Sequence, residues 1–250
     1  MAFKDYFSNH AEIYAQHRPS YPLELFDYLN SLVTQHQIAW DCATGNGQVA
    51  VGLTPYFNQV YATDASAQQL AYAIAHPQVQ YSVATAEHSP FPDQSIDLIT
   101  VGLALHWFNH ELFYQEVRRV LRSDGAIAVW CYSDVELPTA SPALQERLAD
   151  FRRLVYPYFA PEIEYIWNRY ETIPFPFVEL ETPQFLMIAD WTVDHFIGYL
   201  QSLSGTQRYR EHYGSEKLNE LAAPLVAAWN NSATRLPVEW KIYLRAGKLE

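Results

Sequence analysis

The chain has 250 residues, with 28 acidic and 16 basic side chains and a net charge of −12 at pH 7. A mean field of that sign repels nucleic acid and favours a cationic ligand. The 15% aromatic content, with only 9 glycines, excludes disordered and fibrous classes.

Two cysteines cannot build a disulfide framework. The first residues, Met1 to Asp5, show no apolar signal core, and no apolar run is long enough to span a bilayer. The expectation is a soluble, cytoplasmic protein with no membrane or nucleic-acid partner. Its oligomeric state is not legible.

In chain order, residues 3–21 read as a helical lead-in, with Phe3, Phe7, Ala11 and Tyr14 on one apolar face and Arg18-Pro19-Ser20-Tyr21-Pro22 closing it. A helix over Leu23–Leu32 leads into a strand at Ile38–Cys42, a glycine turn, and a helix from Val49 to Tyr56. The second strand, Val60–Thr63, ends at Asp64, and Ser66 with Gln69 forms a capping box for a helix to Ala75. Strands follow at Val79–Val83 and Ile96–Gly102, with the two-proline loop Ser89–Asp93 between them. Asn109 caps a helix, and Ser123-Asp124-Gly125 turns into a fifth strand, Ala126–Cys131. Alternation of strand and helix from 38 to 131 predicts a doubly wound parallel α/β sheet. Cys42 and Cys131, two strand steps or about 10 Å apart, lie beyond disulfide reach.

Residues 133–184 hold seven prolines and many aromatics, and read as a helical insertion covering the open edge of the sheet. Phe185–Ala189 resumes as a strand, Thr192–Ser202 and Lys217–Asn230 as helices, and Val238–Leu244 closes the sheet. One domain over 1–250 is expected: a helical cap (1–36), a cofactor-binding core (37–132), the insertion (133–184) and the rest of the sheet (185–250).

The organising stretch is Asp41-Cys42-Ala43-Thr44-Gly45-Asn46-Gly47 between the first strand and its helix. Strand, glycine turn and helix bring backbone N–H groups to a ligand, and Asp64 falls where a carboxylate holds ribose hydroxyls. Gly45 to Ala50 matches G-x-G-x-x-A literally, which keeps an NAD(P)-dependent oxidoreductase as an alternative. Asp41 argues against it, because a carboxylate there repels a pyrophosphate and attracts a sulfonium or ammonium. Ordering of the loop through backbone N–H groups is the other reading of Asp41.

With Ala86-Glu87, Pro90–Asp93, Asp97–Ile99 and Arg119–Gly125, these stretches resemble a class I S-adenosylmethionine-dependent methyltransferase over most of the chain. Ala43 departs from the family's usual glycine, and Ser123-Asp124-Gly125 from its usual Pro-Gly-Gly. Tyr14…Arg18–Pro22 and Leu105-His106-Trp107-Phe108 resemble the group that includes trans-aconitate methyltransferase. The resemblance implies a Rossmann-like sheet of seven strands with the last antiparallel. It places the Gly45–Gly47 backbone near the methionine part of S-adenosylmethionine, Asp64 on the ribose, Ala86 and Glu87 beside the adenine, and Leu103 near the reactive end, with Asp41, Ala43 and Ala65 also expected at the cofactor. S-adenosylhomocysteine is the implied product.

A small-molecule acceptor, with a carboxylate as one option, is expected to meet Tyr14, Arg18, His106, Trp107 or Arg208. A carboxylate needs holders but no base; for a phenol, amine or carbon acceptor His106 is the candidate catalytic base. Arg208 reads more readily as a solvated charge, and Arg18 equally as a partner of a neighbouring carboxylate. His106 and His110 have metal-like spacing, but Asn109 begins a helix between them and no metal site is expected. A non-catalytic cofactor-binding protein on the same fold is the remaining alternative.

Overall fold

A computed structural model describes residues 18–229 and 231–250. Most of the expected lead-in helix and Tyr14 lie outside them. The described elements are α1 (Leu23–Ser31), β1 (Ile38–Cys42), α2 (Gln48–Leu53), β2 (Gln59–Asp64), α3 (Ala67–Ala71), β3 (Val79–Val83), β4 (Ile96–Gly102), α4 (His110–Val120) and β5 (Leu121–Tyr132). They continue as α5 (Pro142–Val155), α6 (Ile163–Trp167), β6 (Val178–Leu180), β7 (Phe185–Trp191), α7 (Val193–Ser202), α8 (Ser204–Tyr213), α9 (Ser215–Ala228) and β8 (Leu236–Lys248).

The strands form one sheet in the order β3-β2-β1-β4-β5-β8-β6, with β7 also on β8. The β1–β2, β1–β4, β2–β3 and β4–β5 pairs are parallel, and β8 runs antiparallel to β5. The sheet thus has the expected Rossmann-like form with its last strand reversed. It has eight strands rather than seven because β8 is long enough to pair with two successive partners on its outer side. Met187 and its neighbours in β7 meet its first half, and Val178–Leu180 meet Ala246–Lys248. Since β8 occupies the sheet position beside β5, the helical segment after β5 does not lie along an open edge.

Alternation along the strands divides the core between the two faces. Ala126, Ala128 and Trp130 of β5 pack with Leu25, Leu53 and Trp240 on one side. Ile127, Val129 and Cys131 pack with Trp40, Phe113 and Val117 on the other. The continuous apolar reading of β4 agrees with this two-sided burial. Cys42 and Cys131 are free and buried.

Two local sequence readings shift. Strand β5 begins at Leu121, which pairs with Ile96, while Leu98 pairs with Ala126, so Arg122–Gly125 bulge out rather than precede the strand. The bulge carries Arg122 to Asp97, 2.9 Å away, whose other oxygen accepts the N–H groups of Gln37 and Ile38 at the start of β1. Helix α8 was not expected at all.

The two-proline loop is pinned by Glu116 of α4, which accepts the Ser89 N–H at 2.7 Å, the Ser89 hydroxyl at 2.6 Å and Arg119 Nη2 at 2.6 Å. Burial alone would raise the Glu116 pKa, but the bonds from Arg119 and Ser89 outweigh it and hold the carboxyl at about 2. A depressed folded pKa gives stability that is present above the unfolded value near 4.5 and is lost as pH falls through the folded one. With Arg119 one-third exposed, screening leaves about 2 kcal/mol of that stability. Glu116→Gln is expected to be less stable than wild type at pH 6 by about this amount. The gap should close between pH 4.5 and 2 in urea melts; a constant gap would contradict it.

Candidate active site

The site sits at the carboxyl ends of β1, β2, β4 and β5, where open α/β sheets bind ligands. A single cavity of about 780 Å³ runs there from the glycine turn to the segment after β5.

The turn is built by backbone geometry. Ala43, Gly45 and Gly47 have φ values of +56°, +57° and +82°. Glycine takes this region freely, and alanine pays about 1 kcal/mol to do so. Gly45 faces the cavity. Gly47 stands behind it, giving its N–H to Thr44 O at 3.0 Å and beginning α2. A Cβ on Gly47 would fall 2.1 Å from the Tyr81 hydroxyl oxygen. Gly47 therefore shapes the turn and is not part of the cavity wall.

Asp41 is 1% exposed and accepts Thr44 Oγ1 at 2.5 Å and Thr100 Oγ1 at 2.9 Å. Burial pushes its pKa up to about 7, the threonine bonds offset part of the rise, and the charge of Asp64 adds to it. Asp41 reaches the cavity but also orders the turn through the Thr44 hydroxyl, and the Ala50 backbone N–H acts on the same carboxylate. Asp64 accepts the Gly45 N–H and the Ser66 N–H, each at 2.9 Å, which fixes the carboxylate beside Ala65 in the wall. Glu87, next to Ala86, accepts the Asn109 N–H at 2.9 Å and so joins the third wall to α4. Leu103, with φ +56°, is held by its N–H on Trp130 O.

On the far side, Arg18 donates to the Tyr132 hydroxyl at 2.7 Å and lies 5.4 Å over the Tyr199 ring. Trp107 lines the cavity, its ring 4.7 Å from that of His106. His106 Nδ1 is 2.8 Å from the Tyr170 hydroxyl. Burial, helped by neighbouring His110, pushes the His106 pKa down to about 3. A ring so hard to protonate is a weak base, which counts against the expected base role. His110 bonds Leu105 O instead of facing a shared ion, and no group of three or more potential metal ligands occurs among the described residues.

Arg208 does not reach the cavity. It lies on α8 and donates to Tyr158 O. The roof comes from the segment after β5: Tyr156 and Trp167 stack at 5.6 Å, with Phe159, Glu162 and Ile166 beside them.

Sequence reasoning missed Thr100, Tyr170 and the individual roof residues. A threonine among the apolar residues of a buried strand was a usable signal for Thr100; the aromatic crowding gave none for Tyr170.

The donor set discriminates between ligands. Among the described residues, the cavity wall carries five carboxylates (Asp41, Asp64, Glu87, Asp134 and Glu162) against one guanidinium, that of Arg18. Three of the carboxylates surround the glycine turn, so this end suits a cation and disfavours a pyrophosphate.

Comparison with known proteins agrees. The methyltransferase-domain family matches residues 40–129. A Dictyostelium discoideum protein named "putative methyltransferase" is 28% identical over 99% of this chain and 96% of its own. A Saccharomyces cerevisiae protein, named "probable S-adenosylmethionine-dependent methyltransferase CRG1", is 31% identical over 51% of this chain and 47% of its own. The solved structure of a "putative type II methyltransferase" from Anaeromyxobacter dehalogenans is 35% identical, covers 92% of this chain and 97% of its own, and superposes with a TM-score of 0.83. No helix among the described residues is long and apolar enough to cross a membrane. The dinucleotide-like G-x-G-x-x-A is thus a feature of the turn, not of an oxidoreductase, and the chain belongs to the class I S-adenosylmethionine-dependent methyltransferases.

Proposed function

We propose that this methyltransferase modifies a small molecule, with a carboxylate-bearing acceptor as the best fit. One observation carries the reading: the cofactor end and the acceptor end share one roofed cavity of about 780 Å³, within the range of small-ligand sites. Both stretches that resemble the trans-aconitate methyltransferase group, around Arg18–Tyr21 and His106–Phe108, contribute to its wall.

Asp41 and the Gly45 turn would hold the methionine part, Asp64 the ribose, and Ala86 with Glu87 the adenine, leaving Leu103 at the reactive end. Bound S-adenosylmethionine supplies a methyl on a sulfonium; the acceptor's lone pair forms the new bond while the carbon–sulfur pair stays on sulfur. The chain's own work is then alignment and exclusion of water. Tyr156, Phe159 and Trp167 close the roof. Arg18 and His106 supply hydrogen-bond donors to an oxygen-bearing acceptor.

Calorimetry with S-adenosylmethionine, S-adenosylhomocysteine and NADH tests the cofactor end; micromolar binding of the first two alone is expected. Transfer of labelled methyl to a panel of small organic acids, phenols and amines, with a lysine-containing peptide as the macromolecular control, tests the acceptor. Labelling of the peptide alone would overturn the small-molecule reading. Cofactor binding with no transfer to any member would favour a non-catalytic role.

A further inference from the structure

Tyr170 is the buried polar group that the alignment mechanism leaves unused. It is fully buried on the far side of His106 from the cavity and does not line it. Its position costs backbone strain, since Arg169 and Tyr170 are consecutive non-glycine residues with φ +56° and +61°. Each such residue costs about 1–2 kcal/mol, and strain of this kind persists where the surrounding structure holds it. Here the hold is explicit. Tyr170 N–H bonds Tyr165 O at 2.8 Å, Arg169 N–H bonds Ile166 O at 2.8 Å, and Arg245 takes the Tyr170 carbonyl at 3.0 Å. The strained turn delivers one phenol to one imidazole.

The direction of the proton in that 2.8 Å bond follows from the surroundings. His106 stands in a one-turn 3₁₀ helix, Leu105–Trp107, whose first N–H groups have no carbonyl partner within the turn. Burial, with Cys131 nearby, makes the Tyr170 hydroxyl hard to ionise; the His106 and Leu105 backbone N–H groups act on the same oxygen in the opposite sense. A hydroxyl has one proton to give and two lone pairs to fill. Among the described residues His106 Nδ1 is the one acceptor within hydrogen-bond distance of the Tyr170 hydroxyl, so the buried proton goes there.

We infer that Tyr170 is a positioning residue that fixes His106 as the Nε2–H tautomer, so that His106 presents a hydrogen-bond donor, not a base, to the acceptor end of the cavity. This rests on the methyl-transfer reading above and narrows its substrate class. An acceptor held by a donor and offered no base must arrive with its reacting lone pair already uncovered, as a carboxylate or another oxyanion does. No proton then leaves the acceptor: the oxygen–methyl bond forms, the sulfur–methyl bond breaks, and the sulfonium is neutralised. A neutral phenol or ammonium acceptor would need a base that His106 in this form does not supply.

The test reads the ring itself. Long-range nitrogen–proton NMR of ¹⁵N-histidine protein at pH 7, with the His106 signal assigned by its loss in His106→Gln, is expected to show the neutral Nε2–H form. In Tyr170→Phe the His106 nitrogen shifts should move toward a mixture of tautomers, while S-adenosylmethionine affinity stays within about 2-fold, about 0.4 kcal/mol. An Nδ1–H form or an imidazolium in the wild-type protein would overturn the inference, and that spectrum decides even if Tyr170→Phe does not fold. Because it needs neither acceptor nor turnover, its failure is distinguishable from failure of the methyl-transfer reading, which would show as absent cofactor binding.

Discussion

Replacing Asp41 by asparagine is expected to raise the melting temperature of the ligand-free protein at pH 8 while weakening S-adenosylmethionine binding by about 10- to 100-fold. The two effects have one origin. Asp41 is 1% exposed, and its carboxyl has a pKa of about 7 in the fold against 3.8 in the open chain. For an acid whose folded value is raised, stability falls as pH climbs from the unfolded value to the folded one and is level above it. At pH 8 the full cost is present, about 4 kcal/mol at 1.36 kcal/mol per pH unit.

Asparagine keeps an acceptor for one threonine hydroxyl, meets the other with its amide, and carries no charge to desolvate. Allowing for the amide's own burial, a gain of about 2 kcal/mol and a rise of about 4–8 °C are expected for a chain of this size. The lost affinity is that of a charge-assisted contact to a cation, about 1.5–3 kcal/mol. The wild-type protein should also release a proton on binding near pH 6, because a cationic ligand favours the ionised carboxyl. Affinity should therefore rise from pH 6 to 8 and then level off, a trend that Asp41→Asn abolishes. Calorimetry in buffers of different ionisation enthalpy reads the proton directly. Unchanged affinity in the variant would leave Asp41 only as a residue that orders the turn.

The same residue shows where sequence was sufficient and where it was not. The strand, glycine turn and helix around Asp41 were legible because each step is local: an apolar run, positive φ at glycine, then a helical start. The capping contacts were equally local; Ser66 accepts the Gln69 N–H and Asn109 the Leu112 N–H, as their spacing implies. What Asp41 touches was not legible, because Thr100 is 59 residues away and meets it only across the β1–β4 pair. Helix α8 escaped for a different reason. Ser204–Tyr213 has no apolar stripe, and its buried residues are Gly205, Thr206 and Gln207. Close packing holds it: a Cβ on Gly205 would fall 2.4 Å from the Phe159 ring. That contact comes from the roof segment, so the helix exists through its tertiary partner rather than through propensity. Tyr170 combines both difficulties. Nothing local marks it, and its two partners, His106 and Arg245, lie 64 and 75 residues away.

Arg245 is the point at which the roof depends on the sheet, and Arg245→Met is expected to lower the melting temperature by about 10 °C. Its guanidinium, on β8 and opposite Val129, donates to both oxygens of Glu179 at 2.8 and 3.0 Å. It also takes the carbonyls of Tyr170 at 3.0 Å and Ile173 at 2.8 Å, and lies 4.7 Å over the Phe175 ring. Methionine fills the space along the stem but leaves the two carbonyls, on residues no more than 1% exposed, without these donors. The Tyr170 carbonyl keeps the Ile173 N–H at 3.1 Å, but the Ile173 carbonyl loses its donor. Removing one partner of such a group costs more than the bond was worth, because the stranded oxygen stays dehydrated. A loss of about 3–4 kcal/mol follows, at 2–4 °C per kcal/mol.

Arg245→Lys should recover little of it, since an ammonium cannot present the planar fork that reaches a carboxylate and two carbonyls together. Glu179→Gln removes only the half-exposed side of the cluster, and should cost less than about 1 kcal/mol. The contrast locates the stabilisation in the carbonyl contacts rather than in the ion pair. Calorimetric melting of the three variants measures it; an Arg245→Met midpoint within 2 °C of wild type would show that the Tyr170 turn stands without its clamp.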